Sequence, residues 1–327
     1  VKVGITGGNG FIGGHVVDHL IELGHTPVVF DRRSVQQPWR TGVEYFLGDV
    51  TDEIAVTELA AHVDGIIHLA ACLGTQETIR NPRPSAITNV VGGLNVLEAG
   101  VQYDLPEVYI GVGNWWMENS YSISKHTIER YIRMYNKNRR GLINIVRAVN
   151  AYGPRQSVAP PFGPAKVRKI TPAFVCRALT GMPVEIYGNG EQISDMVHVR
   201  DVARALVAAL ITAEEGTVLG EAVEVGPYES LTVNQVAQLV QWHVTDLGGP
   251  LQQPIKHLPM RPGEIPGDRV SADPDTLKLI GIDPASLTAF NVGIRETIVW
   301  FAENWLPGFQ QFDDDTESDD TVVATSV

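Results

Sequence analysis

Cysteine is scarce: Cys72 and Cys176 are the two in 327 residues. They form no CxxC pair, and no His, Cys, Asp or Glu cluster has metal-ligand spacing. A zinc knuckle and a redox dithiol are therefore excluded, and no metal is expected. Long apolar runs are missing too. No stretch of eighteen exists, so no membrane span is expected. Basic residues are outnumbered, 25 Lys and Arg against 38 Asp and Glu, for a formal charge of −13. Six of the acids, and no Lys or Arg, lie in Asp313–Val327, which reads as a solvated, disordered acidic tail; the remaining body carries only −7. Neither part offers the basic footprint of a nucleic-acid binder. The chain opens on VKVGITG without a charged-then-apolar leader pattern, which makes a cytoplasmic location the default expectation. What remains is ordinary for a globular protein, with 44% hydrophobic and 19% charged residues.

The first half alternates short apolar runs with helical patterns. Strands are predicted at Val1–Thr6, Thr26–Phe30, Val43–Leu47, Gly65–Ala71, Glu107–Val112 and Leu142–Val146. Helices are predicted at Phe11–Leu23, Ser85–Gly100 and Tyr121–Asn138. Such alternation indicates a doubly wound parallel sheet of Rossmann type, covered by helices on both faces. From Tyr152 the pattern loosens, with prolines at 154, 160, 161 and 164. Helices near Lys169–Thr180, Val202–Ala213, Val233–Thr245 and Val292–Asn304 and a strand at Val184–Tyr187 follow. The expected division is a dinucleotide-binding domain over 1–150, to which 184–204 returns, and a smaller α/β substrate lobe over 151–312.

The sharpest local signal is Thr6-Gly7-Gly8-Asn9-Gly10-Phe11-Ile12-Gly13, a GxxGxxG turn between a strand and a helix. Gly7 permits the tight turn, Gly10 lets the backbone approach a pyrophosphate, and Gly13 lets helix and strand pack closely. The helix start, with Phe11 and Ile12, then presents free N–H groups to phosphate. Asp31 ends the second strand, eighteen residues after Gly13. A carboxylate there binds both adenosine ribose hydroxyls and repels a 2′-phosphate, which favours NAD over NADP. Arg32 and Arg33 follow directly and are either surface charges or partners for a 2′-phosphate.

Tyr121 and Lys125 open a predicted helix four residues apart, hence on one face. A phenol of pKa about 10 is a poor base at neutral pH, and bringing it to about 7 takes roughly 4 kcal/mol of preferential phenolate stabilisation. A neighbouring ammonium and a cationic nicotinamide in a dry pocket supply such stabilisation.

Taken together, the chain resembles the extended short-chain dehydrogenase/reductase family, most closely its NAD-dependent nucleotide-sugar epimerase and dehydratase branch, over residues 1–305. Several segments carry the resemblance: TGGNGFIG at 6–13, Gly48-Asp49-Val50-Thr51-Asp52 on the adenine side, and His68-Leu69-Ala70-Ala71 beside the cofactor, with Asn89 on the next helix. Further along come Arg147–Pro154, Tyr187–Gln192, Asp195–Val202 and Arg261-Pro262-Gly263-Glu264. The resemblance implies NAD contacts from Gly7, Gly10, Phe11, Ile12, Gly13, Asp31, Arg32, Asp49, Val50, Leu69, Ala70, Ala71 and Asn89, joined by the catalytic pair Tyr121 and Lys125. It implies substrate diphosphate contacts from Asn150 and Arg261, a nucleoside-diphosphate sugar as substrate, and a homodimer paired through the helices at Ser85–Gly100 and Tyr121–Asn138.

One departure stands out. Relatives usually carry a Ser or Thr just after the fifth strand, whose hydroxyl bonds the reacting oxygen, and a long loop before the tyrosine. Here Gly111-Val112-Gly113-Asn114-Trp115-Trp116 runs almost directly into Tyr121. Asn114, Ser120 and Ser122 are the candidate replacements; the alternative is altered or lost redox chemistry. The Thr-Asp-Glu set typical of 4,6-dehydratases is also absent. Trp115 and Trp116 stack on a sugar or base, or pack. Cys72 and His198 read as a small apolar filler and a structural hydrogen-bonding residue.

Overall fold

The computed structural model describes residues 1–34, 40–261 and 267–313. Apolar strands of four to seven residues build one parallel sheet: β1 (Lys2–Thr6), β2 (Thr26–Asp31), β3 (Glu44–Leu47), β4 (Gly65–His68), β5 (Pro106–Val112), β6 (Leu142–Ala148) and a short seventh strand, β7 (Val223–Val225). Their order is β7-β6-β5-β4-β1-β2-β3, every neighbouring pair parallel. The order reverses between β1 and β4, which opens a crevice at the carboxyl ends of the strands.

Side chains alternate across the sheet as the strand period requires. Val29 on β2 faces one core with Ile5, Ile67, Val108 and Val146; this face is covered by α1 (Phe11–Glu22) and by a helix from much later in the chain, Val199–Glu214. Val28 and Phe30 face the other way, under α2 (Glu53–Ala60) and α3 (Gly92–Gln102). Next to them α4 (Ser120–Asn138) lies on β5 and β6, burying Ile128, Ile132 and Tyr135 against Tyr109, Ile143 and Ile145. The expected helix over Ser85–Gly100 is not regular. It comprises a short turn at Pro82–Ser85, a π-helical stretch at Ala86–Val91 and then α3. The wider turn rolls Asn89 inward, a distortion common at functional sites.

Helix Val199–Glu214, α6, belongs to the first core, while the second core gathers Phe162, α5 (Ile170–Leu179), α7 (Val233–Asp246) and α8 (Phe290–Asn304), with Phe174, Val240, Ile298 and Phe301 buried. Three short parallel pairs tie it to the sheet's upper edge: Asn150–Tyr152 with Met196–His198, Glu185–Tyr187 with Lys256–Leu258, and Ile193–Ser194 with Arg269–Val270. Among the described residues no helix is long and apolar enough to cross a membrane, and no group of three or more His, Cys, Asp and Glu is placed to hold a metal.

Candidate active site

A cleft of about 890 Å³ lies along the carboxyl ends of the strands, between the sheet and the second core. The glycine turn forms its floor. Gly7 adopts φ +72°, and a Cβ on Gly13 would stand 2.5 Å from the Gly7 carbonyl oxygen, so helix and strand meet only because both are glycine. Helix α1 starts at Gly10 with no side-chain cap and no acid in its first turn. By contrast α2, α4 and α7 are capped by Asp52, Asn119 and Thr232. The N–H groups at the start of α1 thus stay unsatisfied by side chains and face the cleft beside Phe11 and Ile12.

Asp31 is 7% exposed at the end of β2 and lines the cleft. The Asn9 and Arg33 amides donate to its two oxygens at 3.2 and 3.0 Å, which fixes the carboxylate and leaves further lone pairs for hydroxyl donors. Arg32 leans to Asp49, 3.9 Å away, and both side chains of the Arg32–Arg33 pair are about 70% exposed. Asp49, Val50, Leu69, Ala70 and Ala71 line the same end. The β4 segment is held by Thr6, whose hydroxyl accepts from the Leu69 and Ala70 amides and lies 2.6 Å from His68 Nδ1. With both lone pairs engaged, that hydroxyl donates to the imidazole. This agrees with burial and the nearby Lys125 pushing His68 down to about 3. Such a glycine cradle, uncapped helix start and buried carboxylate fit a dinucleotide.

Tyr121 and Lys125 both line the cleft from the first turns of α4. Lys125 is 1% exposed; its Nζ sits 4.0 Å above the Tyr109 ring, whose hydroxyl donates to the Lys125 carbonyl at 3.2 Å. Burial lowers the ammonium to about 7, partly opposed by Glu129. Burial raises the Tyr121 phenol above its ordinary value. An added positive or hydrogen-bonding partner is therefore required before Tyr121 serves as a base.

Of the hydroxyl candidates, Ser120 bonds Ser85 at 2.6 Å and Ser122 is buried in the Asn119 cap; neither lines the cleft. Asn114 does, beside Met117. Asn89 is not in the wall. Its amide accepts from Cys72 N at 2.7 Å and donates to Cys72 O and to Ser124 Oγ, which pins the β4 loop to α4 behind the cleft. Trp115 stacks on His126 at 5.0 Å and lies 5.1 Å from the Arg147 guanidinium, so its ring is used in packing; Trp116 meets it edge-on. Neither indole, nor Cys72, nor His198 lines the cleft.

At the far end Asn150 lines the wall and donates to Ser194 Oγ, while Arg261 lies 4.8 Å over the Tyr187 ring. Pro262, Gly263 and Glu264 lie outside the described residues. The sequence reading missed Lys166, Arg168 and Lys169 in this wall, with Gln156 and Asp268. The cluster of cations after Pro164 was the available signal.

A family model described as "NAD dependent epimerase/dehydratase family" matches residues 3–226. The chain belongs to that family. Among curated members, it is 28% identical to a putative UDP-glucose 4-epimerase of Methanocaldococcus jannaschii, covering 92% of this chain and 98% of the relative. It is 27% identical to a UDP-N-acetyl-alpha-D-glucosaminuronate decarboxylase of Bacillus cytotoxicus, over 91% and 97%. Among solved structures, the UDP-glucose 4-epimerase of Thermus thermophilus in complex with NAD superposes with a TM-score of 0.78 at 29% identity, covering 93% of this chain and all of the other. The α/β Rossmann-type fold of these epimerase structures thus extends over 93% of the chain.

Proposed function

We propose that the chain is an NAD-dependent epimerase of a nucleoside-diphosphate sugar, acting most simply at C4 through a transient keto sugar. The observation that carries this reading is the meeting of Tyr121 and Lys125 with the uncapped α1 start and Asp31 in one cleft. The similarity to the Methanocaldococcus and Thermus epimerases supports it.

Bound NAD supplies a reversible hydride acceptor. The chain's own part is proton movement and orientation. Tyr121 Oη takes the proton of the sugar hydroxyl and later returns it. Lys125, buried and near neutrality, regains full charge as negative charge develops beside it, and so stabilises the phenolate. Asp31 selects NAD by accepting from the adenosine ribose, and Asn150 and Arg261 hold the substrate diphosphate. With no β5 hydroxyl, Asn114 is the remaining polar side chain there to orient the sugar oxygen. Exposed Ile87, Val91, Ile123, Tyr131 and Met134 on the 86–91 stretch and α4 support a homodimer through these helices.

The test begins with nicotinamide released from denatured protein. Tightly held NAD, interconversion of UDP-glucose with its C4 epimer, and a loss of about 10²–10⁴-fold in kcat for Tyr121→Phe with NAD binding intact are expected. Lys125→Ala weakens both. An empty site that binds NADPH more tightly than NADH overturns the NAD assignment. Carbon dioxide released from a uronic-acid substrate replaces epimerisation with decarboxylation.

A further inference from the structure

Glu129 is the one carboxylate of α4, and it is fully buried, at 0% exposed. It lies one turn after Lys125, so the two side chains share a face of the helix. Beneath them β5 presents alternate residues: Tyr109 under Lys125, and Gly111 under Glu129. A Cβ on Gly111 would lie 2.3 Å from Glu129 Oε1 and 3.0 Å from Arg147 Cγ. Arg147 is the β6 residue in register with Gly111. Its Nε and one Nη reach the two Glu129 oxygens at 3.1 and 2.5 Å, and its other Nη reaches Glu224 at 3.2 Å. His126 Nδ1 approaches the same carboxylate at 3.2 Å. Trp115 closes this set from outside by stacking on His126.

We propose that Glu129 is the fixed counter-charge of Lys125, and that glycine stands at position 111 because the Glu129 carboxylate fills the space of a side chain there. Glu129 does not itself line the cleft, so it is a positioning residue acting through Lys125. The groups around Lys125 are Tyr121 and Glu129 on its own helix, Tyr109 on β5, His68 on β4, and Arg147 on β6 with Glu224 behind it. Burial opposes the lysine's charge; Glu129 is the carboxylate that supports it, in agreement with its raising effect on the ammonium. A bidentate guanidinium holds the carboxylate in place. The short loop after β5 belongs to the same arrangement, since it delivers Trp115 onto His126 and Arg147. A serine at 111 would therefore not restore a missing hydroxyl; it would displace the counter-charge.

The inference rests on the reading of Lys125 as the partner of the base, but its readout needs neither substrate nor turnover. The full chain is labelled at lysine Cε, and the Lys125 resonance is assigned by its loss in Lys125→Met. Glu129→Gln is expected to lower the Lys125 titration midpoint by about one pH unit or more. Gly111→Ser, which retains every charge, lowers it in the same direction, and Glu129→Asp recovers part of the wild-type value. A folded Glu129→Gln or Gly111→Ser protein with an unmoved midpoint overturns the proposal. Should Glu129→Gln fail to fold, Gly111→Ser decides alone. A shifted midpoint in a protein that holds no nicotinamide would sink the epimerase reading and leave this inference standing.

Discussion

The two ends of β5 each bury a carboxyl group, and they neutralise it by opposite means. At the lower end Glu107 is 1% exposed, and its Oε1 has no hydrogen-bond partner. Burial pushes its pKa well up. At the upper end Glu129, brought in by α4, is clamped by Arg147 and flanked by His126. Each group occupies the place of a Cβ on a facing glycine, Gly100 for Glu107 and Gly111 for Glu129. The lower acid escapes the cost of an isolated buried charge by keeping its proton; the upper one escapes it by pairing. A proton is a local solution that no other residue feels. A pair keeps two opposite charges fixed in place, and it stands at the end of the strand beside Tyr121 and Lys125.

The sharpest break of this contrast is Arg147→Met. It removes one partner of the buried Arg147–Glu129 pair and should cost about 3–5 kcal/mol in urea denaturation. An unchanged midpoint would mean that the pairing with Arg147 contributes nothing to stability. Next comes Lys125→Met. A lysine held at about 7 binds fewer protons folded than unfolded between there and the ordinary lysine value. Its burial penalty is therefore complete below about pH 7 and fades as pH rises towards about 10. The variant should gain a few kcal/mol near pH 6 and distinctly less near pH 9, as read by thermal melts; a constant gain would refute the lowered value.

Glu107→Gln tests the lower end. A carboxyl whose folded pKa is raised makes the folded state bind the extra proton, so wild-type stability falls as pH climbs above the ordinary carboxylate value. The variant should be more stable by about 1–3 kcal/mol near pH 8, with the difference vanishing near pH 4. The smallest effect belongs to Asn119→Ala, which removes the cap of the helix carrying Tyr121, Lys125 and Glu129. About 1 kcal/mol is expected in denaturation, with no dependence on pH.

How far the sequence announced all this follows from the range of each interaction. The glycine turn and Asp31 were legible because their constraints are local: a positive φ, a close approach and a strand end. Tyr121 and Lys125 were legible as a four-residue spacing. Asn89 reads the same in sequence as a cofactor contact, but the π-helical turn rolls it onto Cys72 and Ser124. Ser120 and Ser122 were candidates because a hydroxyl's direction depends on what caps the helix, and the Asn119 cap and Ser85 claim both. Glu129 and Arg147 were silent, since their pairing joins a helix to a strand eighteen residues on and shows itself in sequence only as a glycine. Three-residue β7 is too short to have a period.

The helix Val199–Glu214 covers the face of the sheet that bears Val3, Ile5, Val29, Ile67, Val108 and Val146, and β7 closes its edge only at Val225. In the order of synthesis, then, the glycine cradle and the tyrosine–lysine pair emerge long before half of the sheet they stand on can be covered. A nascent chain halted after β6 would carry Gly7, Asp31, Tyr121 and Lys125 and still present an open apolar surface to whatever waits outside the ribosome. A fragment cut there should precipitate or bind a chaperone, and the full chain, in which both cores are closed, should not.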